Sequence, residues 1–209
     1  MDEMIMWAPS GPVDITGLNE KDMTLDNLAN LRHVTRAWDI TGARGFTVTD
    51  HAYISSLICA KLLSKIGVST TFRFTAITAC TFHDCEEAFM GDVATPLKTP
   101  ALRKVGDSIR DQIFGYLGIG EVSKCHTIVK FCDICSLIYE IKSSGYPHYN
   151  DLFIDVLGDI LVGAFVALQI DGVPTKTIIE VLDWLGIGCD KVCLVSSRVD
   201  EVEVYKCGK

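Results

Sequence analysis

The stretch FHDCEEAFMGDVATPLK, residues 82–98, places a histidine and four acids directly after a strongly apolar run. It ends in a Gly-Asp step and a Thr-Pro step, both of which are typical of chain turns. Charged side chains are costly to bury unless they are paired or bound to a metal. The stretch therefore predicts a functional site at the end of a helix rather than more of a hydrophobic core.

Helical periodicity dominates the rest of the chain. Apolar residues recur at helical spacing, as in Ile54, Leu57, Ile58 and Leu62. Glycines close several of these runs, as expected for helix ends. The sequence predicts an all-α protein with helices over 23–34, 50–67, 72–91, 99–118, 121–145, 150–172 and 173–188. The tail, 189–209, is left open between a strand and a frayed end.

Composition limits the organisation and the partners of the protein. A chain of 209 residues that is 48% hydrophobic can bury one sizeable core, so we expect a single domain over 1–209. The net charge of −8 disfavours a nucleic-acid-binding surface. No run reaches the roughly 18–20 apolar residues that span a bilayer. The acidic N-terminus differs from a signal peptide, so we expect a cytoplasmic protein, in its own cell or in a host cell.

The nine cysteines lie mostly inside apolar runs. Reduced, buried thiols are a better interpretation of this pattern than a disulfide framework. CDIC, residues 132–135, is a CxxC motif, but no second CxxC follows at zinc-finger spacing. We therefore expect Cys132 and Cys135 to pack as small apolar residues on one helix face.

Four features combine into a candidate metal site. His51 lies in the first turn of a helix, His83 and Asp84 are adjacent on the next, and Glu87 follows His83 by four residues. Asp133 lies in the apolar run IVKFCDICSLI, where a charge needs a partner. Taken singly, each is explained as a capping residue or a solvated helix face. Imidazole and carboxylate ligands from three helices suit a divalent transition metal.

The segments TVTDHAYISSLI, FHDCEEAFMGDVATPLK and VKFCDICSLIYEIK resemble those of the HD-domain phosphohydrolases. Within that family they are similar to the YfbR-like 5′-deoxynucleotidases, over roughly residues 32–142. The resemblance implies a compact HD-domain helical bundle that binds one divalent transition metal, Zn, Co or Mn. The implied ligands are His51, His83, Asp84 and Asp133. The ion would activate a water that attacks the 5′ α-phosphorus of a deoxynucleotide.

The resemblance also implies roles for residues around the metal. Glu87 would act as general acid or base, and Asp92 would contact the 3′-hydroxyl of the sugar. Arg36 matches the phosphate-binding arginine of the family, and Arg44 is a second candidate for a phosphate contact. Glu86 has no assigned role and is expected to be solvated.

The resemblance leaves the substrate open between two branches. One cuts a deoxynucleoside monophosphate to deoxynucleoside and phosphate. The other, which includes small phage dATP triphosphohydrolases, releases triphosphate from a dNTP. A small-molecule deoxynucleotide is the expected partner in both, and the family implies a homo-oligomer. The alternatives are a non-catalytic HD-type protein that binds a nucleotide as a regulatory signal, and an all-α interaction protein.

Overall fold

The computed structural model describes residues 5–15, 17–36, 45–93, 97–120, 122–144 and 152–187. Within these ranges helices dominate, as predicted. The α-helices are α1 Leu25–Leu28, α2 Val48–Leu63, α3 Thr70–Phe82, α4 Glu87–Met90, α5 Pro100–Leu117, α6 His126–Ser144, α7 Leu152–Ile170 and α8 Thr175–Trp184. Short 3-10 helices occupy Glu20–Asp22, Ala29–His33 and Val122–Cys125. The sequence did not predict the antiparallel hairpin of β1 Ile5–Ala8 and β2 Gly11–Asp14.

The predicted helix over 72–91 is wrong in its second half. Helix α3 ends at Phe82, and α4 is a separate turn of helix. Between them, Cys85 N–H donates to the Phe82 carbonyl at 3.1 Å and Glu87 N–H donates to the Asp84 carbonyl at 3.1 Å. These bonds join residues three apart, so the backbone winds more tightly than an α-helix. The His-Asp pair therefore lies in a turn between two helices.

The other predicted helices are shorter in the structure. The first, over 23–34, consists of α1 and a 3-10 helix, and Thr24 caps α1 by accepting from Asn27 N–H. Helix α2 ends at Leu63, before the predicted Gly67. The tail 189–209 lies outside the described residues.

The chain divides into two units. The first comprises the described residues of Met1–Ile54 and Thr81–Val122, and the second those of Ser55–Cys80 and Ser123–Lys209. The core of the first unit joins the hairpin, α4 and α5 through buried apolar side chains: Val13, Ile15, Leu18, Met23, Cys85, Ala88, Phe89, Ile109, Ile113 and Phe114. The expectation of a single domain stays a prediction.

In the second unit, α6 packs along α7. Its interior is filled by large apolar side chains that are almost completely buried, among them Phe131, Ile141, Phe165, Leu168, Ile178 and Leu182. Such burial is the main stabilising term for helices of this length. None of the helices in the described ranges is both long enough and apolar enough to cross a membrane.

Candidate functional site

The start of α2 fixes the position of His51. Thr47 precedes the helix, and its hydroxyl accepts from Asp50 N–H at 3.2 Å, while the Asp50 carboxylate accepts from Thr47 N–H at 2.8 Å. This reciprocal pair is a capping box, and it satisfies two helix-end donors. His51 follows in the first turn, as predicted, and its side chain is fully buried.

A short stretch of paired backbone brings Arg36 to the same helix start. Thr35 and Thr47 form an antiparallel bridge, with Arg36 N–H donating to the Phe46 carbonyl at 3.0 Å and Val48 N–H to the Val34 carbonyl at 2.9 Å. The bridge therefore holds the backbone at Arg36 beside the start of α2. The Arg36 side chain is buried, with 8% of its surface exposed.

Three of the predicted metal ligands converge at this point. His51 Nε2 lies 3.2 Å from His83 Nε2. Asp84 Oδ2 lies 3.2 Å from His83 Nε2 and 3.8 Å from His51 Nε2. Two ligand atoms on one tetrahedral zinc, each bonded at about 2.0–2.1 Å, are roughly 3.3 Å apart. The spacing and chemistry of these donors therefore fit a divalent ion without rearrangement of the backbone.

Glu87 lies beside this cluster and is almost completely buried. Its Oε1 accepts from Lys98 Nζ at 3.2 Å, whereas its Oε2 accepts no hydrogen bond within the described residues. Burial, followed by the negative charges of Asp84 and Asp92, raises the pKa of Glu87 to about 9 against the opposing charges of Lys98 and Arg36. A carboxyl group in this state can carry a proton at neutral pH.

The Arg36 guanidinium is shared among three carboxylates. Its Nη1 lies 3.3 Å from Asp92 Oδ2, 3.6 Å from Asp84 Oδ2 and 4.0 Å from Glu87 Oε2. Asp92 follows Gly91, whose φ of 73° is strained for residues with a side chain and turns the chain after α4. The structure therefore brings the predicted substrate-binding pair, Arg36 and Asp92, within contact distance of each other and of the metal-site carboxylate.

The expectation that Glu86 is solvated is wrong. Its side chain is buried, and its two oxygens accept from Arg110 Nε at 2.9 Å and Arg110 Nη2 at 2.5 Å. Arg110 also donates to Asp107 at 3.2 Å. Arg110 follows in α5, far along the chain, and nothing in the local pattern around Glu86 indicates this long-range ion pair.

The two remaining predicted site residues are Asp133 and Arg44. Asp133 lies on α6 in the second unit, where Lys130 pairs with it at 2.9 Å. Its role as the fourth ligand stays a prediction. Arg44 lies outside the described residues.

Lys98, in the Thr-Pro-Leu-Lys segment, lies beside the candidate site although the sequence pattern gave it no role. It contacts Glu87 and lines a pocket of about 220 Å³ in the first unit. The pocket continues past Glu87 to α5 and has a mixed charged lining that includes Arg103, Asp107 and Arg110. In the sequence, Lys98 follows the Thr-Pro step at the end of the acid-rich stretch, and this place is the signal that could have identified it.

The helices, with a His-Asp pair in the turn after α3 and a second histidine at the start of α2, define an HD-domain fold. A solved structure with this fold is the HD phosphohydrolase DatZ of cyanophage S-2L, bound to dA and one catalytic Zn²⁺ ion. The two sequences are 20% identical. The match covers 78% of the present chain and 95% of the DatZ chain, with a TM-score of 0.58. The HD-domain prediction is thereby confirmed as a fold, and the narrower YfbR-like resemblance stays a prediction.

A structural-genomics crystal structure also matches, with 22% identity over 55% of this chain and 70% of its own, but its TM-score of 0.45 is too low to support any inference. No protein-family model matches the chain. No curated protein matches it either.

Proposed function

We propose that the protein is a metal-dependent phosphohydrolase of deoxynucleotides that directs water to the 5′ α-phosphorus. The observation that carries this proposal is the convergence of His51 Nε2, His83 Nε2 and Asp84 Oδ2 within 3.8 Å of one another, beside a buried and incompletely bonded Glu87. The HD phosphohydrolase with the same fold, which binds dA and a catalytic zinc ion, supports the same class of chemistry.

The proposed ligands of one divalent transition metal, Zn, Co or Mn, are His51, His83, Asp84 and Asp133. The first three are supported by their distances, and Asp133 is proposed from its order in the sequence. When bound, such an ion supplies Lewis acidity and makes a coordinated water more acidic. The buried imidazole of His51 and the partly exposed carboxyl group of Asp84 offer a nitrogen and an oxygen, which is a donor set that these metals accept.

Glu87 is the proposed proton-transfer residue. Hydrolysis at the α-phosphorus breaks its bond to the sugar 5′ oxygen, and that oxygen needs a proton as it leaves. Glu87 has a raised pKa, so it can hold this proton in a site that excludes water. A cation bound by the neighbouring Asp84 would lower the pKa towards neutrality, where acid–base catalysis is most effective. Lys98 holds the carboxyl group in place through one oxygen and leaves the other available.

Arg36 and Asp92 are the proposed substrate contacts. Arg36 lies next to a metal-site carboxylate and to Asp92, so a phosphate held by its guanidinium would be near both. Asp92 would accept a hydrogen bond from the 3′-hydroxyl. Arg44 remains a second proposed phosphate contact, and a homo-oligomer in the cytoplasm remains the proposed state of the protein.

The deciding experiment is a product-identified screen of all dNMPs and dNTPs with the purified protein, with Zn²⁺, Co²⁺ or Mn²⁺ and with chelator. We expect deoxynucleoside to form only with a divalent ion, together with phosphate from a dNMP or triphosphate from a dNTP. The second product therefore also decides between the two branches. Tight nucleotide binding without turnover under every metal would contradict the enzyme and support the regulatory alternative.

A further inference from the structure

A cluster of three thiols lies in the core of the second unit. Cys59 from α2, Cys80 from α3 and Cys132 from α6 are completely buried. Each contributes a sulfur, and these atoms all lie within 4.8 Å of one another. The three residues come from three helices, so tertiary packing, and not helical spacing, brings them together.

The CxxC motif contributes one member to this cluster. Cys132 and Cys135 are three residues apart and both buried, but Cys132 clusters with thiols of other helices and Cys135 is not part of the cluster. The sulfurs of a tetrahedral zinc site with bonds of about 2.3 Å lie roughly 3.8 Å apart. The cluster is therefore close to metal-binding geometry and needs at most a small contraction.

The surroundings of the cluster favour a cation. Hydrogen bonds from the thiols of Cys132 and Cys80 lower the pKa of Cys59 to about 5, although burial opposes this. The pKa values of Cys80 and Cys132 are raised well above the ordinary value, for Cys132 chiefly by burial, so only Cys59 of the three ionises readily without a cation. A buried thiolate needs positive charge beside it. Within the described residues, the side chains that shift the pKa of Cys59 are other thiols and not Lys or Arg.

A polar group near the cluster supports the same conclusion. Ser55 precedes Cys59 by one helical turn and so shares its face of α2. The Ser55 side chain is completely buried, and its hydroxyl has no hydrogen-bond partner within the described residues. A hydroxyl in this position can donate to a metal-bound sulfur, which is a common way in which outer residues support thiolate ligands.

We propose that Cys59, Cys80 and Cys132 form a three-thiolate site for a thiophilic d¹⁰ cation such as Zn²⁺ or Cu⁺. Soft sulfur ligands select such ions over the harder ions that carboxylates prefer. The site would be structural, because completely buried sulfurs leave no path for a substrate, and it would link three helices. Each ligand would bind as the thiolate, so metal binding would release protons during folding.

The test uses full-length protein produced with Co²⁺, which replaces zinc and gives an intense near-ultraviolet charge-transfer band only when bound by thiolate. We expect this band in the wild-type protein and in Asp84→Ala, since the histidine-carboxylate cluster contributes no sulfur. In Cys80→Ala and in Cys132→Ala the band should fall to less than about a tenth. Cys135→Ala, a buried cysteine on the same helix, is the matched control and should keep the band.

Three cysteines outside the described residues need a separate control. The combined variant Cys189→Ala, Cys193→Ala and Cys207→Ala should keep the full band, and this holds even if the core variants fail to fold. A wild-type protein that is folded and shows no band would overturn the proposal. Loss of the band in the combined variant, or its persistence in folded Cys80→Ala and Cys132→Ala, would also overturn it. The result is independent of whether the protein hydrolyses nucleotides.

Discussion

Glu86 and Glu87 are adjacent and equally buried, yet the regions around them differ in kind. The Glu86 region is a closed ion pair, in which one guanidinium donates to both oxygens at 2.9 and 2.5 Å. In the Glu87 region the carboxylate is only partly paired. One of its oxygens accepts from Lys98 at 3.2 Å, and the other lies 4.0 Å from the nearest Arg36 nitrogen.

The comparison distinguishes Glu86, a carboxylate that is fully paired within the fold, from Glu87, the carboxylate proposed to transfer a proton. A bidentate arginine pair satisfies a buried carboxylate and connects α5 to the turn before α4. A buried carboxylate that lacks a partner on one oxygen costs stability, and proteins retain such groups mainly where chemistry needs them. The charge pattern alone does not distinguish the two residues, since both belong to the same acidic run.

The largest loss of turnover is expected from a change in the Glu87 region, at the proposed metal ligand Asp84. Asp84→Ala should lose the bound metal and reduce turnover by at least about 10,000-fold, because the ion supplies several kcal/mol of transition-state stabilisation. Metal content by elemental analysis and turnover are measured on the same sample. Asp107→Ala, an acid of the Glu86 region, is the control and should keep both. Full metal content in Asp84→Ala would remove that residue from the site.

The next effect is on Glu87 itself. Glu87→Gln should keep the metal and reduce turnover by about 1000-fold, because an amide cannot transfer the proton that the leaving oxygen needs. Glu86→Gln is the matched change at the adjacent residue and should leave turnover within about tenfold of wild type. Equal losses of turnover in the two variants would show that the two carboxylates do not have different roles.

A smaller effect is expected from the ion pair of Glu86. Arg110→Met leaves a buried carboxylate without its partner and should lower the free energy of unfolding by about 3 kcal/mol. Urea denaturation measures this change. The double variant Glu86→Leu with Arg110→Met removes both charges and should recover most of the loss. If Arg110→Met is as stable as wild type, the pair is not a structural one.

The smallest effect is a change of stability with pH at Glu87. The folded-state pKa of about 9 lies above the ordinary glutamate value of 4.5, so the folded protein binds more protons between these values and loses stability as pH rises through them. In chelator, Glu87→Gln should therefore be more stable than wild type at pH 8, by on the order of 1 kcal/mol. The gain should disappear near pH 4.5. A gain that is the same at both pH values would point to a cause other than ionisation.

The sequence predicted the helical class because apolar periodicity is a local signal. The order of His51 and the His-Asp pair indicated the candidate site, and His51, His83 and Asp84 lie close together in the structure. The sequence could not place the end of α3, since Glu86 in the turn at His83–Glu86 pairs with Arg110, which lies outside the local pattern. The hairpin at Ile5–Asp14 was also missed, because its two strands of four residues each offer too few positions for an alternating pattern.

The other features that the sequence did not predict depend on partners that are distant in the chain. Glu86 looked solvated because Arg110, which pairs with it, lies 24 residues further along the chain. The thiol cluster was missed for the same reason, since Cys59, Cys80 and Cys132 are far apart in sequence and meet only after three helices pack. Charge and spacing within a short window predict helices and local motifs, but the contacts that decide the role of a buried polar group are made across the fold.

The central claim, that the protein directs water to the 5′ α-phosphorus of a deoxynucleotide, is tested most directly by hydrolysis in ¹⁸O-labelled water. The metal-loaded protein is incubated with the substrate that the screen identifies, and both products are analysed by mass spectrometry. We expect the label in the released phosphate or triphosphate and an unlabelled deoxynucleoside. Label in the 5′-hydroxyl of the deoxynucleoside, or no metal-dependent turnover of any deoxynucleotide, would contradict it.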